Sequence, residues 1–256
     1  MSDTTEAIAG AIVEPASPEP GGLPASWIAA LDLVRLVQGL YFIFWGLLVA
    51  VLVGGQIVIM LWLRTFAEIF LGIGLLAVLL GTWRLQQVRF HHVQPAALAG
   101  AWPRQARQMM GLAVLLVYFG VTFYMWRRLP LSLYLQVNAG AFVAVGMAYV
   151  IRLNRTVALV TAALGRGDLA QEARWFGVTG LLLLGLPFAG SLLYMGVMAI
   201  RRDTNLIFEF GTLLGRVSLP IMLVLLLPLS LTLGLVWAAK DATLRKLAEI
   251  DARGPR

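Results

Sequence analysis

The sequence has no cysteine, two histidines, and 13 acidic residues among 256. Without cysteine there is no disulfide, no thiolate nucleophile and no Cys-ligated zinc or iron–sulfur centre. The acids are also poorly placed for chemistry inside a bilayer. Asp3, Glu6, Glu14 and Glu19 lie in the amino-terminal tail, and Asp168, Glu172, Asp241, Glu249 and Asp251 in polar stretches. Asp32, Glu68, Asp203 and Glu209 sit near the ends of apolar runs. A charge at mid-bilayer costs a few kcal/mol at least and persists only for a reason, so a proton-coupled pump is not expected. Intramembrane proteolysis would need paired aspartates or a Ser/His pair at depth, and neither is available.

Nucleotide and hydrolase signatures are missing as well. There is no Walker A sequence, no GxSxG and no HExxH, and "LGIGLL" at Leu71 lies inside an apolar run rather than between a strand and a helix. His91 and His92 are the only imidazoles; neighbours on a helix point about 100° apart and no carboxylate lies close in sequence. They suit neither a metal site nor the opposed axial ligands of a membrane haem. No cofactor is expected.

What remains is apolar. The chain is 60% hydrophobic and 13% charged, with a mean hydropathy of +0.84, whereas charged residues are about a quarter of a soluble domain. The formal net charge of +7 comes from arginines set singly and in pairs at the ends of apolar runs, as in membrane helices. The partners this implies are membrane lipids, not nucleic acid. The fold class expected is therefore all-α, a polytopic integral membrane protein.

Residues 1–27 carry four acids, no Lys or Arg, and Pro15, Pro18, Pro20 and Pro24. They read as a disordered acidic tail, and lack the basic region and compact apolar core of a secretory signal. Beyond it the arginines act as a ruler. Arg64 to Arg84 and Arg107 to Arg127 each span 20 residues, about 30 Å of helix and one bilayer crossing. Six transmembrane helices are expected, over about 33–61, 65–83, 108–126, 131–151, 175–200 and 212–239, followed by a basic tail at 241–256. The first run exceeds one span: either it is a long tilted helix, or "VGGQ" at Val53 ends it and the rest lies at the outer surface. Pro187, Pro220 and Pro228 are expected to kink the fifth and sixth helices.

With both termini on the cytoplasmic side, that side collects Arg35, Arg84, Arg89, Arg104, Arg107, Arg152, Arg155, Arg166, Arg174, Lys240, Arg245, Lys246, Arg253 and Arg256. The other side keeps Arg64, Arg127, Arg128, Arg201, Arg202 and Arg216. This bias is the positive-inside signature. A bacterial-type inner membrane is expected, since the scarcity of lysine, only Lys240 and Lys246, fits a GC-rich genome.

One polar connector is written nearly twice, "AALAGAWPRQARQMMGL" from Ala96 and "AALGRGDLAQEARWFGV" from Ala162. At an offset of 66, Trp83 aligns with Tyr149, Arg89 with Arg155 and Gly111 with Gly177; Gly234, Trp237 and Lys240 repeat the spacing of Gly146, Tyr149 and Arg152. Two readings compete: three duplicated helical hairpins with basic cytoplasmic extensions, or chance matches among common residues. The extensions have the spacing of amphipathic interfacial helices, with Leu85 and Val88 in the first and Leu153, Val157, Val160 and Leu164 in the second, flanked by arginines that would meet an anionic inner leaflet.

Three sets of candidate residues follow. Arg64, Arg127, Arg128, Arg201, Arg202 and Arg216 gather at the outer rim, as anion or lipid-headgroup contacts or as plain interfacial anchors. Gly140, Ala144 and Ala148, and Gly211 with Gly215, form small-residue faces suited to close helix packing. Asn138, Gly185, Pro187, Gly190, Pro220 and Pro228 would line a pore or form a hinge if helices five and six move. The function expected is that of a non-enzymatic accessory or packing subunit, touching lipids, other membrane proteins or a second copy of itself. The alternatives are a small transporter or channel for a neutral or anionic solute and, more weakly, a lipid-modifying enzyme.

Overall fold

A computed structural model describes residues 25–59, 64–90, 96–129, 132–201 and 219–252, and every regular element in them is helical. Among the described residues there are six helices: α1 (Ala25–Ile59), α2 (Arg64–Gln86), α3 (Ala96–Arg128), α4 (Leu133–Ala163), α5 (Gly167–Arg201) and α6 (Leu219–Ala252). Five carry stretches long and apolar enough to cross a membrane: Ala30–Val53, Ile69–Gln86, Gly100–Trp126, Tyr134–Ala163 and Gly167–Tyr194. In hydrocarbon every backbone N–H and C=O must find its partner within the segment, so Leu-, Val- and Ala-rich runs become helices. The chain is a multi-pass helical membrane protein.

The helices form a closed ring in chain order. Neighbours in sequence pack on one another, α6 returns to α1, and α4 also reaches α6. The hairpins are antiparallel: Gly39 of α1 lies against Gly81 and Leu85 of α2 while Gly46 lies against Gly74 and Val78. On the opposite side of the ring, Phe123 of α3 stacks on Phe142 of α4 with centroids 5.2 Å apart. Each of the hairpin pairs 1–2 and 3–4 is closely packed, whereas α5 and α6 meet less extensively than α6 and α1.

The core is not spread evenly along the bundle. Its fully buried members are Leu36, Leu40 and Ile43 of α1, Leu85 of α2, Met109 of α3, Tyr149, Leu153, Val157 and Val160 of α4, and Val236 of α6. With Ala173 of α5, these lie in the first half or at the middle of the odd-numbered helices and in the second half of the even-numbered ones, so the core sits towards the end where α2 leaves for α3 and α4 for α5. That end is called the connector end below. Outward faces are apolar too; on α5 the exposed side chains include Trp175, Leu181, Leu182, Leu186 and Leu193, the arrangement of a lipid-facing helix.

Several expectations change here. Of the two readings of the first run, the structure has the continuous helix: α1 runs through Gly54 and Gly55 to Ile59. The connectors are not separate helices lying on a leaflet, since α3 already begins at Ala96, α4 runs on to Ala163 and α6 to Ala252. The reason is burial: Leu153, Val157 and Val160 enter the core instead of facing lipid. Of the expected amino-terminal tail, Ala25 to Trp27 open α1 and the rest lies outside the described residues.

The repeated "AAL" serves opposite purposes in its two positions. Ala96-Ala97-Leu98 start α3, whereas Ala162-Ala163-Leu164 end α4. The aligned difference of Ala99 against Gly165 accounts for it. Gly165 adopts φ +77°; its N–H bonds to Ala162 O at 3.1 Å and that of Arg166 to Thr161 O at 2.9 Å. This is the Schellman termination, which a left-handed glycine permits. The aligned Trp83 and Tyr149 also differ, the first exposed and the second buried.

Candidate functional site

Two features of the connector end combine polar chemistry with burial. The first is inside the ring. α4 directs Tyr149 towards α2, where its hydroxyl lies 2.7 Å from Thr82 Oγ1. Thr82 already donates to Val78 O at 2.8 Å, so Tyr149 is the donor and Thr82 the acceptor. One turn and a half further along α4, Asn154 Nδ2 donates to Thr232 Oγ1 of α6 at 3.1 Å, and Thr232 in turn donates to Pro228 O at 2.8 Å. Thr156 shares its one hydroxyl proton between Met109 Sδ of α3 and its own Arg152 O, each 2.9 Å away. Gly177 of α5 lies beside Asn154 Cβ, which lets α5 pass close to α4.

These bonds make α4 the member that ties α2, α3 and α6 together. The threonines bond back to the carbonyl of the preceding turn, a common way for a hydroxyl to survive inside a helix. Asn154 Oδ1 is buried without a partner among the described residues.

The second feature is a cavity of about 360 Å³ between the end of α2 and the start of α3, lined by Gln86, Val88, Arg89, Phe90, Trp102, Pro103, Ala106 and Arg107. After Gln86 the chain turns, with Gln87 N–H bonded to Arg84 O at 3.1 Å and Val88 N–H to Leu85 O at 3.2 Å; Val88 and Phe90 are buried while Arg89 between them is exposed. Trp102 Nε1 donates to Val88 O at 2.9 Å, and its ring meets Phe90 edge-on at 4.7 Å. Pro103 lacks an N–H and so frees a carbonyl in the first turns of α3. Arg107 Nε donates to Pro103 O at 3.3 Å, leaving its terminal amino groups as donors. The result is an apolar wall with an arginine on each side.

The residues singled out from sequence are distributed differently. Arg64 opens α2, Arg127 and Arg128 close α3, and Arg201 closes α5; their backbones lie at the end opposite the connectors. Arg202, Gly211, Gly215 and Arg216 lie outside the described residues, as do His91 and His92. Pro220 is the second described residue of α6. Gly140 has open space where a Cβ would project, and Gly190 likewise; Ala144 and Ala148 are half-buried. The closest helix approach is instead between α1 and α2. A Cβ on Gly46 would come within 2.7 Å of Gly74 O, and one on Gly81 within 2.7 Å of Gly39 O.

The described candidate pore residues bond or pack locally. Asn138 donates to Tyr134 O of its own helix at 2.7 Å, and Ser191 to Pro187 O of its own at 2.8 Å. Gly185 approaches only Leu181 of α5 itself. Pro228 is buried against Gly180, a packing position. Among the described residues no three His, Asp or Glu side chains are grouped to hold a metal ion.

Sequence reasoning passed over Tyr149, Asn154 and Thr82. Asn154 had a signal: an amide between Leu153 and Val157 on the apolar side of an extension is poorly suited to a leaflet surface. Arg89 and Arg107 were visible one by one, but only the turn at Gln87 brings them to one groove. No protein-family model matches this chain, and neither a curated protein nor a solved structure matches it.

Proposed function

We propose that this is a non-enzymatic multi-pass protein of a bacterial-type inner membrane, an accessory or packing subunit that works through lipids and other membrane helices. One observation carries the reading: the interior polar side chains close on helix partners, Tyr149 on Thr82, Asn154 on Thr232 and Thr156 on Met109. Polar chemistry in the interior is thus used to hold helices together. The described cavity opens at the connector end, beside Arg89 and Arg107.

The same reading has six crossings, arranged as three hairpins, with both termini cytoplasmic. Residues 219–239 of α6 contain no charged side chain before Lys240, enough for one crossing of about 30 Å. Trp237 packs on Phe44 with centroids 4.8 Å apart, which supports α6 lying at the depth of the apolar stretch of α1. Lys240 then marks the cytoplasmic boundary, its Nζ 3.1 Å from the Trp237 ring centroid, a favourable cation–π placement.

The experiment is purification at native abundance followed by mass spectrometry of lipids and proteins together. Anionic phospholipid and at least one integral membrane protein are expected to accompany the chain. Protein-dependent passage of a neutral or anionic solute into reconstituted vesicles would replace this reading with the transporter. A reporter fused after Arg256 that is active only outside the cytoplasm would overturn the orientation.

A further inference from the structure

We infer that the cavity between α2 and α3 is a binding site for the phosphate headgroup of an anionic phospholipid, held between Arg89 and Arg107 with its glycerol and upper acyl region against Val88, Phe90, Trp102 and Ala106. This rests on the lipid-contact reading above and assigns it a place.

Four observations carry the assignment. The first is depth. The apolar stretch of α2 ends at Gln86 and that of α3 starts at Gly100, so the lining, Gln86 to Phe90 and Trp102 to Arg107, falls at the end of one stretch and within the first eight residues of the other. A groove there faces the headgroup layer rather than the hydrocarbon or the bulk solvent.

The second is charge. Between Glu68 and Asp168 there is no acidic residue, and every charged side chain in the interval is an arginine. Local sequence therefore supplies the groove with no counter-ion. Three cations at this end have carboxylate partners, Arg166 with Asp168 at 2.8 Å, Lys240 with Asp241 at 3.2 Å and Lys246 with Glu249 at 3.0 Å; what sets Arg89 and Arg107 apart from the other arginines here is that both line one cavity. Arg89 and Arg107 pair with no carboxylate among the described residues, and their charge is left for a ligand.

The third is shape. At about 360 Å³ the cavity falls in the range of roughly 300–1,000 Å³ common for small-ligand clefts. One wall is aromatic and aliphatic, and the polar groups are few and cationic. An amphiphile with a single anionic head matches that division better than a soluble anion, which would leave the apolar wall wet.

The fourth is rigidity. Trp102 is fixed by its bond to Val88 O and by Phe90, so the apolar wall is preformed, and Arg107 is tethered at 3.3 Å to Pro103 O. Guanidinium groups donate in a fork that fits phosphate oxygens, and basic pockets between membrane helices on the cytoplasmic side are characteristic headgroup sites.

The test uses the full chain in detergent, titrated with phosphatidylglycerol or with phosphatidylcholine of the same acyl composition and followed by native mass spectrometry. The wild type is expected to prefer the anionic lipid by about 10-fold or more for its first bound molecule. The Arg89→Gln/Arg107→Gln variant is expected to lose most of that preference, and Arg174→Gln/Arg245→Gln, with two exposed arginines outside the groove, to retain it. Ala106→Leu, which fills the groove without changing charge, is expected to lose it as well. Thermal melts of each variant establish that it is folded.

Undiminished preference in the folded Arg89→Gln/Arg107→Gln variant overturns the site while leaving the lipid-contact reading standing. A wild type that binds both lipids equally overturns lipid selectivity itself. Displacement of phosphatidylglycerol by millimolar inorganic phosphate would make the groove a free-anion site and overturn the lipid assignment.

Discussion

Tyr149 donates its hydroxyl proton to Thr82 at 2.7 Å across the interior of the helix ring, joining α4 to α2. Asn154 repeats the arrangement towards Thr232 of α6. In both cases a threonine whose proton is taken by its own preceding turn accepts from α4. The ring thus has a spoke, and removing it tests how the bundle is held.

Tyr149→Phe keeps the ring and deletes the hydroxyl. Thr82 retains its bond to Val78 O, so no donor is stranded. The expected loss is about 0.5–1.5 kcal/mol, near the lower value if the average for interhelical bonds in membranes applies. Tyr149→Ala also opens a cavity at a fully buried position and should cost about 3–5 kcal/mol. Unfolding in mixed detergent micelles measures both; equal effects would mean that the hydroxyl, not the ring, dominates.

Thr232→Val removes the acceptor of Asn154 Nδ2 and leaves a buried amide with both ends unpaired. A cost of about 1–3 kcal/mol is expected. Adding Asn154→Leu should recover part of it, because the stranded group is gone. The two changes are therefore predicted to be non-additive by about 0.5 kcal/mol or more. Additive losses in the same unfolding assay would show that the two side chains do not depend on each other.

The part of this fold that was legible in sequence is the part dictated by hydrocarbon. The apolar run between Arg64 and Arg84, read as a span over about 65–83, lies within α2, Arg64–Gln86, because a charged residue marks where lipid ends. What was not legible is how far helices continue once lipid is left behind. Residues 96–107 contain Pro103, Arg104 and Arg107 and read as a polar connector, yet they are helical because Trp102 and Ala106 are buried there against Val88 and Phe90. Hydropathy cannot see a core made at the membrane boundary. The groove was hidden for the same reason: Arg89 and Arg107 lie 18 positions apart, and only the turn at Gln87 brings them to one cavity.

Close packing of α1 on α2 makes a further distinction among glycines that sequence could not. A Cβ at Gly81 would lie 2.7 Å from Gly39 O and 2.8 Å from Ile43 N, backbone atoms that cannot rotate away. Gly81→Ala must push the helices apart and is expected to cost about 1–3 kcal/mol. Gly190→Ala meets open space and is expected to change stability by less than about 0.5 kcal/mol. Paired unfolding curves decide it, and equal behaviour of the two variants would place the tight contact elsewhere.

Gly165 is where the α4–α5 turn depends on backbone conformation rather than contact. A Cβ there would touch nothing within 4 Å, but φ is +77°, so any penalty comes from the left-handed region itself. Gly165→Ala should cost about 1–2 kcal/mol, and Gly165→Asn less, since asparagine enters that region more readily. A sterically caused loss would instead follow side-chain size and make asparagine the worse of the two. The order of melting temperatures, wild type above Asn above Ala, separates the explanations. It also bears on the repeat: if Gly165 is what ends α4, then Ala99→Gly in the aligned position should be tolerated as an ordinary helix-interior glycine, at about 1 kcal/mol, without creating a second turn. Limited proteolysis between residues 96 and 107 reads that outcome, new cleavage there being the result that would show the two connectors to be equivalent after all.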